Sequence, residues 1–356
     1  AAGVLGRRPL LVAGDAEADD SPGALQLVDQ RWNVLVLAAD PDVGGGQRAE
    51  ISHEIGDAIR SSGFATVGQA LEYCRERLAE AGVFFGHGTD NPWDEAVQLV
   101  LSVARLPLDA DDGGLPHRLE AGQCGEILAL LHRRIDERVP LPYLLGRAWF
   151  AGLEFACDER ALVPRSPLAE LILNDIAPLY AGPTPTRILD LCCGGGCIGI
   201  AAAYYHPQAQ VDLVDLDHAA IALARENVQR FGFEERVRIA ESDLFAAVAG
   251  ECYDLILTNP PYVDATDLDA MPREYAHEPP VGLGSGSDGL ELTRRILAEV
   301  GDYLTAHGLL ICEVGNSWTA LEAAYPDVPF TWVEFEHGGH GVFALAAAEW
   351  QDVSAS

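Results

Sequence analysis

One segment narrows the folds open to this chain more than any other. Arg187-Ile-Leu-Asp190 reads as a strand that enters the glycine loop Leu-Cys-Cys-Gly194-Gly-Gly196-Cys-Ile-Gly199 and leaves it as a helix. The glycines at 194, 196 and 199 have GxGxxG spacing, and Asp215 follows 21 residues after Gly194 at the end of a second apolar run, 211–215. In a βαβ unit this arrangement turns backbone N–H groups and a helix start toward a ligand, and brings a carboxylate within reach of ribose hydroxyls. Further strands are predicted at 237–240, 253–258 and 308–313, with helices at 219–231 and about 288–304. Two last apolar runs, 330–335 and 342–346, flank Glu336-His-Gly338-Gly339-His-Gly341, a link too short for a crossover helix, so they must pair antiparallel. The expected fold class is α/β: a doubly wound, Rossmann-like sheet of seven strands with one reversed terminal strand.

The glycine loop alone does not separate NAD from S-adenosylmethionine. Asp190 favours the second, because a carboxylate at the strand tip suits a zwitterionic sulfonium better than a pyrophosphate. So does the reversed terminal hairpin, which resembles the seven-stranded class I methyltransferase fold. Cys192, Cys193 and Cys197 read as small residues standing where glycine, serine or threonine would serve; the eight cysteines lack paired CxxC spacing, and no metal site is expected. Ser242-Asp243-Leu244, after the third strand, is a candidate to face an adenine ring.

Asn259-Pro260-Pro261-Tyr262 directly follows the fourth strand, at the carboxyl edge of the sheet where such folds bind ligands. Two prolines stiffen the backbone and remove two donors, which holds the Pro260 carbonyl outward. That carbonyl and the Asn259 side-chain oxygen can accept both hydrogens of an NH₂ group, while Tyr262 offers an apolar face to its plane. An amide nitrogen is a poor nucleophile, its lone pair being delocalised into the carbonyl. Holding both hydrogens aims that nitrogen at a sulfonium methyl, and catalysis then comes from positioning and electrostatics rather than from a general base. Asn259, Pro260 and Tyr262 are the expected catalytic residues.

With these motifs in place, residues 50–350 resemble the protein-(glutamine side-chain amide) methyltransferases, which act on peptide release factors or on large-subunit ribosomal protein three. Pro164-Arg165-Ser166-Pro167-Leu168-Ala169-Glu170, the Asp190-Leu-Cys start of the loop, Asp264, Met271-Pro272, Glu274-Tyr275, His277-Glu278-Pro279 and the closing His337-to-Phe343 segment look like the ribosomal-protein branch. Gly195 departs from the commoner serine, and Cys193 from the commoner threonine. The resemblance implies a class I methyltransferase sheet with a small N-terminal helical domain that recognises the protein substrate. It implies that Asn259, Pro260, Pro261 and Tyr262 bind the glutamine. Asp190, Cys192, Cys193, Gly194, Gly195, Gly196, Asp215, Asp243, Leu244 and Asn259 would line S-adenosyl-L-methionine, and ribosomal protein three would be the partner.

The remaining organisation follows from composition and periodicity. Residues 1–48, rich in Ala, Gly and Asp, read as a poorly ordered extension in which only 32–37 could form a short element. Residues 49–146 read as the helical domain: Thr66 caps a helix carrying Leu71, Cys74 and Leu78, and Asn91-Pro92 caps a second carrying Leu99, Val100 and Val103. A third runs through Ile127, Leu131 and Ile135, and Pro140 and Pro142 forbid further helix. Arg133, Arg134 and Arg138, the domain's one basic cluster, read as a solvated helix face. Residues 147–163 form a hairpin linker, 164–350 the cofactor-binding domain and 351–356 a tail.

The chain has 55 acidic and 23 basic residues, no lysine, and a formal net charge of −32. Such a field repels nucleic acid and anionic membrane, so neither is an expected partner. No run of about 18 apolar residues is present, and the cytoplasm is the expected compartment. Acids spread along the whole chain are read as adaptation to high salt, with steering of a basic protein as the competing explanation. Other functional readings are methylation of a base amine in nucleic acid, an NAD-dependent oxidoreductase, and a non-catalytic binding module.

Overall fold

The computed structural model describes residues 64–110 and 112–354. The expected extension over 1–48 lies outside the described residues.

The helical segment is fixed by its caps. The Thr66 side chain accepts the Gln69 N–H and opens α1 (Val67–Glu80), which buries Leu71, Cys74 and Leu78. Asn91 accepts the Asp94 N–H at 2.9 Å and opens α2 (Pro92–Ala104), where a proline at the first position costs no hydrogen bond. α3 (Ala121–His132) buries Ile127, Leu128 and Leu131. Its predicted stripe does not reach Ile135, because Arg133–Glu137 is a turn of π-helix. The extra residue in that turn rotates the face, leaves Ile135 half-buried and carries Arg134 inward. The two prolines stop α3 as expected, but they do not forbid helix. Pro140 caps and Pro142 begins α4 (Leu141–Leu145), since a missing N–H is harmless in a first turn. The hairpin β1 (Arg147–Phe150) and β2 (Leu153–Ala156) turns through Ala151 and Gly152, both at positive φ, the mirror-image turn that matches strand twist.

After α5 (Leu168–Leu173) the chain alternates: β3 (Arg187–Leu191), α6 (Cys197–Tyr205), β4 (Gln210–Asp215), α7 (His218–Phe231), β5 (Val237–Glu241), β6 (Tyr253–Thr258), α8 (Ala265–Ala270), α9 (Glu291–Glu299), β7 (Leu304–Glu313), α10 (Trp318–Ala324), β8 (Thr331–Trp332), β9 (Val342–Ala346) and α11 (Ala347–Ser354). The seven-stranded sheet has the order β5-β4-β3-β6-β7-β9-β8, with β9 antiparallel to both neighbours and the remaining pairs parallel. The doubly wound sheet with one reversed strand is therefore present.

Neighbouring strand residues enter opposite cores. Ile188, Leu213 and Leu255 pack toward α6 and α7, while Leu189, Val214 and Ile256 pack with Phe245, Leu297 and Leu321. Both faces are covered, which is why the strands read as continuous apolar runs. β8 is shorter than the predicted 330–335, and beyond it the backbone N–H groups of Glu336 and His337 are taken by the Glu170 carboxylate. Crossovers leave β3 toward β4 on one side while β6 lies on the other, and the resulting switch point opens a crevice at the carboxyl ends of β3 and β6. Among the described residues no helix is long and apolar enough to cross a membrane.

Candidate active site at the carboxyl edge of the sheet

A cavity of about 650 Å³ occupies that crevice. Its β3 end is shaped by the glycine loop, where Cys192, Gly194 and Gly196 all take positive φ. Cys192 stands in a left-handed conformation that normally favours glycine, so the strand tip is tightly turned even where a side chain is present. Gly199 is required for a different reason: a Cβ there would overlap Leu213 and Asp190, keeping α6 off the sheet. Asp215 Oδ2 accepts the Gly194 N–H and Oδ1 the Asp217 N–H, each at 2.8 Å, and its residue forms part of the cavity wall. Burial raises the Asp215 carboxyl, opposed by these backbone donors.

Cys192, Cys193, Gly194, Gly195, Asp215, Asp243, Leu244 and Asn259 all line the cavity. Two expected cofactor residues do not. Gly196 lies behind the wall at the start of α6. Asp190 is fully buried beneath the loop, where Oδ2 accepts the Gly199 N–H at 2.7 Å. Burial pushes its carboxyl up to about 8, so at neutral pH it is largely uncharged. In the structure the Asp190 carboxyl thus lies beneath the loop and outside the cavity wall. Asp243 is exposed and paired with Arg295 at 2.8 Å, while Leu244 is buried with its carbonyl held by Ser242 Oγ at 2.6 Å. Burial raises the thiols of Cys192, Cys193 and Cys197, and among the described residues no group of three His, Cys, Asp or Glu is arranged to hold a metal.

The β6 end is built from side chains. Asn259, Pro260, Pro261 and Tyr262 line the same cavity, and the half-buried Asn259 side chain makes no hydrogen bond among the described residues. Tyr262 donates its hydroxyl to Glu313 Oε1 at 2.7 Å, and its carbonyl accepts Ser317 Oγ at 3.0 Å. Gly315, at positive φ, lies so close to the Tyr262 ring that a Cβ would overlap it. Next in the chain, Val263 exchanges backbone hydrogen bonds with Leu283 and Ser285, which prevents the loop from swinging.

Several contributors went unassigned in the sequence. Ser166 donates to Glu313 Oε2 at 2.6 Å, and burial raises that carboxyl against the pull of the two hydroxyls, Arg165 and His340. Arg165 forms a two-pronged pair with Glu278, at 2.5 and 2.7 Å, and lies 5.2 Å over the Tyr275 ring. Burial raises the Glu278 carboxyl, but His87, 3.7 Å away, and Arg165 outweigh that and hold it at about 2. The predicted solvated face of Arg133, Arg134 and Arg138 holds for Arg133 only. Arg134 is 1% exposed, donates to Glu95 at 2.5 Å, to Glu274 at 3.2 Å and to the Phe84 carbonyl at 2.7 Å, and so ties α2 and α3 to the segment beyond the Asn259 loop. Arg138 is partly buried and also faces Glu274, at 3.6 Å. A signal was available for Arg165, Glu274 and Glu278, which stand within the quoted PRS, EY and HEP motifs. The Arg165–Glu278 and Arg134–Glu274 contacts each join residues more than a hundred positions apart, which no local pattern reveals.

A doubly wound sheet with this strand order, a glycine loop with an acid at the next strand tip, and an Asn-Pro-Pro-Tyr loop opening into the same cavity define a class I methyltransferase. The methyltransferase small domain family matches residues 169–274. A ribosomal protein uL3 glutamine methyltransferase of Xanthomonas campestris is 49% identical over 284 residues, covering 80% of this chain and 92% of that protein. The enzyme of the same name from Francisella tularensis is 45% identical over 285 residues, covering 80% and 91%. A solved methyltransferase from Pyrococcus furiosus is 18% identical, covering 55% of this chain and 89% of its own, with a TM-score of 0.40. The chain belongs to the ribosomal protein uL3 glutamine methyltransferase family.

Proposed function

We propose that this enzyme transfers the methyl group of S-adenosyl-L-methionine to the side-chain amide nitrogen of a glutamine in ribosomal protein uL3. The observation that carries the reading is the Asn259 loop, which lines the same cavity as Asp215 and the glycine loop and whose Asn259 side chain is unengaged among the described residues. The cavity fits the cofactor by its donor set: Asp215 keeps a lone pair on each oxygen for ribose hydroxyls, and positive-φ residues bring loop backbone close to the space. The bound cofactor supplies a sulfonium methyl, an electrophile that needs no metal.

Asn259 Oδ1 and the Pro260 carbonyl accept the two amide hydrogens, Tyr262 covers the amide face, and the nitrogen is held in line for attack. The bound cofactor would supply the methyl group to the nitrogen held there, and the proton displaced from the amide would leave to solvent. On this reading the enzyme works in the cytoplasm, where ribosomal proteins are made.

Exposed acids occur on α1 (Glu72, Glu76, Glu80), on the approach to β5 (Glu234, Glu235) at the opposite edge of the sheet, and near the cavity (Asp243, Asp269). That spread is what salt adaptation requires, and steering alone would concentrate them at the site. The deciding experiment incubates enzyme and labelled methyl donor with purified uL3 and, separately, with a release factor. Label in the uL3 glutamine is expected; label only in the release factor overturns the substrate, and tight NAD binding without methyl-donor binding overturns the chemistry.

A further inference from the structure

Glu313 is the last residue of β7, the strand paired with β6, and the amide chemistry above makes no use of it. It is 6% exposed yet contributes to the cavity wall. Oε1 accepts the Tyr262 hydroxyl at 2.7 Å and Oε2 the Ser166 hydroxyl at 2.6 Å. Each oxygen of the carboxyl takes one of the two hydroxyls as donor, so neither hydroxyl is free to turn. The Tyr262 ring is thus held at its hydroxyl by Glu313, at its face by Gly315 and at its carbonyl by Ser317. Ser166 is anchored in turn, since its Oγ also accepts the Leu168 N–H at 3.2 Å where α5 begins.

We propose that Glu313 is a positioning residue for methyl transfer: it holds the tip of the Tyr262 ring in place and, through the ring, the seat of the acceptor amide. The proposal rests on the amide clamp of Asn259 and Pro260. A planar amide must present its nitrogen along the methyl–sulfur axis, so a ring free to tilt costs turnover rather than affinity.

Glu313→Gln keeps the shape but replaces one accepting oxygen with a donating NH₂, so one hydroxyl must reverse or lose its bond. The expected result is a kcat lowered about tenfold. KM for the protein acceptor and calorimetric affinity for S-adenosylmethionine should change less than about twofold. Tyr262→Phe is expected to lower kcat similarly, and the double variant to lose no more than the worse single. Wild-type kcat in folded Glu313→Gln, losses that multiply in the double variant, or a loss confined to KM or cofactor affinity each overturns the proposal.

Should circular dichroism show Glu313→Gln unfolded, Ser166→Ala carries the test. It frees only the far oxygen, and a kcat loss of about threefold that Tyr262→Phe does not compound is expected. Wild-type kcat or a compounded loss overturns it. Asn259→Ala separates the two levels: near-normal turnover there removes the clamp and the proposal together. An inactive Asn259→Ala beside an unaffected Glu313→Gln removes only the positioning role.

Discussion

The two ends of the cavity are assembled by different means. At the β3 and β4 tips the contacts run through backbone: Asp215 holds two N–H groups, and the loop bends at Cys192, Gly194 and Gly196, with little asked of the Cys193 side chain and none present at Gly195. At the β6 and β7 tips they run through side chains, from Tyr262 to Glu313 to Ser166, and from Arg165 to Glu278. A backbone cradle accepts several residue types as long as the turn is kept. A side-chain chain fails when one member is lost, because its neighbour is left buried without a partner. The cofactor end is therefore expected to tolerate substitution and the acceptor end to resist it.

The largest effect is expected at Asn259. Asn259→Ala should lower turnover by about a hundredfold or more, as loss of a preorganised polar contact does, with circular dichroism unchanged. Turnover near wild type would mean that the acceptor end also works through backbone, and the contrast would break.

Arg134 ranks next, in stability rather than turnover. Arg134→Met leaves Glu95 buried without its cation and Glu274 with Arg138 alone, and is expected to cost about 3–5 kcal/mol in urea unfolding. Arg133→Ala, on the exposed face one residue away, should stay within about 0.5 kcal/mol. Equal effects would show that the buried network carries no special weight.

These two residues also mark what the sequence could and could not disclose. The place of Asn259 was readable because it is local: a tetrapeptide directly after a strand must sit at the sheet's carboxyl edge. The central strands were readable because burial on both faces writes unbroken apolar runs, and the terminal hairpin because its link was too short for any crossover. Arg134 was not readable, since a π turn shifts the helical phase by one residue and no propensity announces it. Nor was Glu313, whose two partners lie 51 and 147 residues away. Asp190 misled for a related reason. Its position at the strand tip was right, but the side of the loop on which its carboxyl lies depends on Gly199 and Leu213 packing above the sheet.

Asp190 gives the contrast a pH dependence. Its folded pKa of about 8 lies above the unfolded value of about 3.9, so between these the native state binds more protons than the unfolded chain. Its contribution to stability is therefore present at low pH and lost as pH rises toward 8. Asp190→Asn keeps an acceptor for the Gly199 N–H and removes the titration. Its melting temperature should exceed the parent's by more at pH 9 than at pH 5, with methyl-donor affinity retained. A gap that narrows with rising pH, or lost affinity, would return Asp190 to a charged role at the cofactor.

The smallest effect is expected within the glycine loop itself. Gly195 does not have positive φ, and a Cβ there would stand 3.3 Å from the end of the Leu223 side chain, which can move a few tenths of an ångström. Gly195→Ser and Cys193→Thr, which install the residues commoner in the family, should each change stability by no more than about 0.5–1 kcal/mol. Each should change kcat and methyl-donor affinity less than about twofold. Gly194→Ala, by contrast, forces a Cβ onto a residue at φ +53° whose N–H serves Asp215, and should weaken methyl-donor binding measurably. If Gly195→Ser proves as damaging as Gly194→Ala, side chains rather than backbone govern the cofactor end, and the two ends of the cavity are built alike.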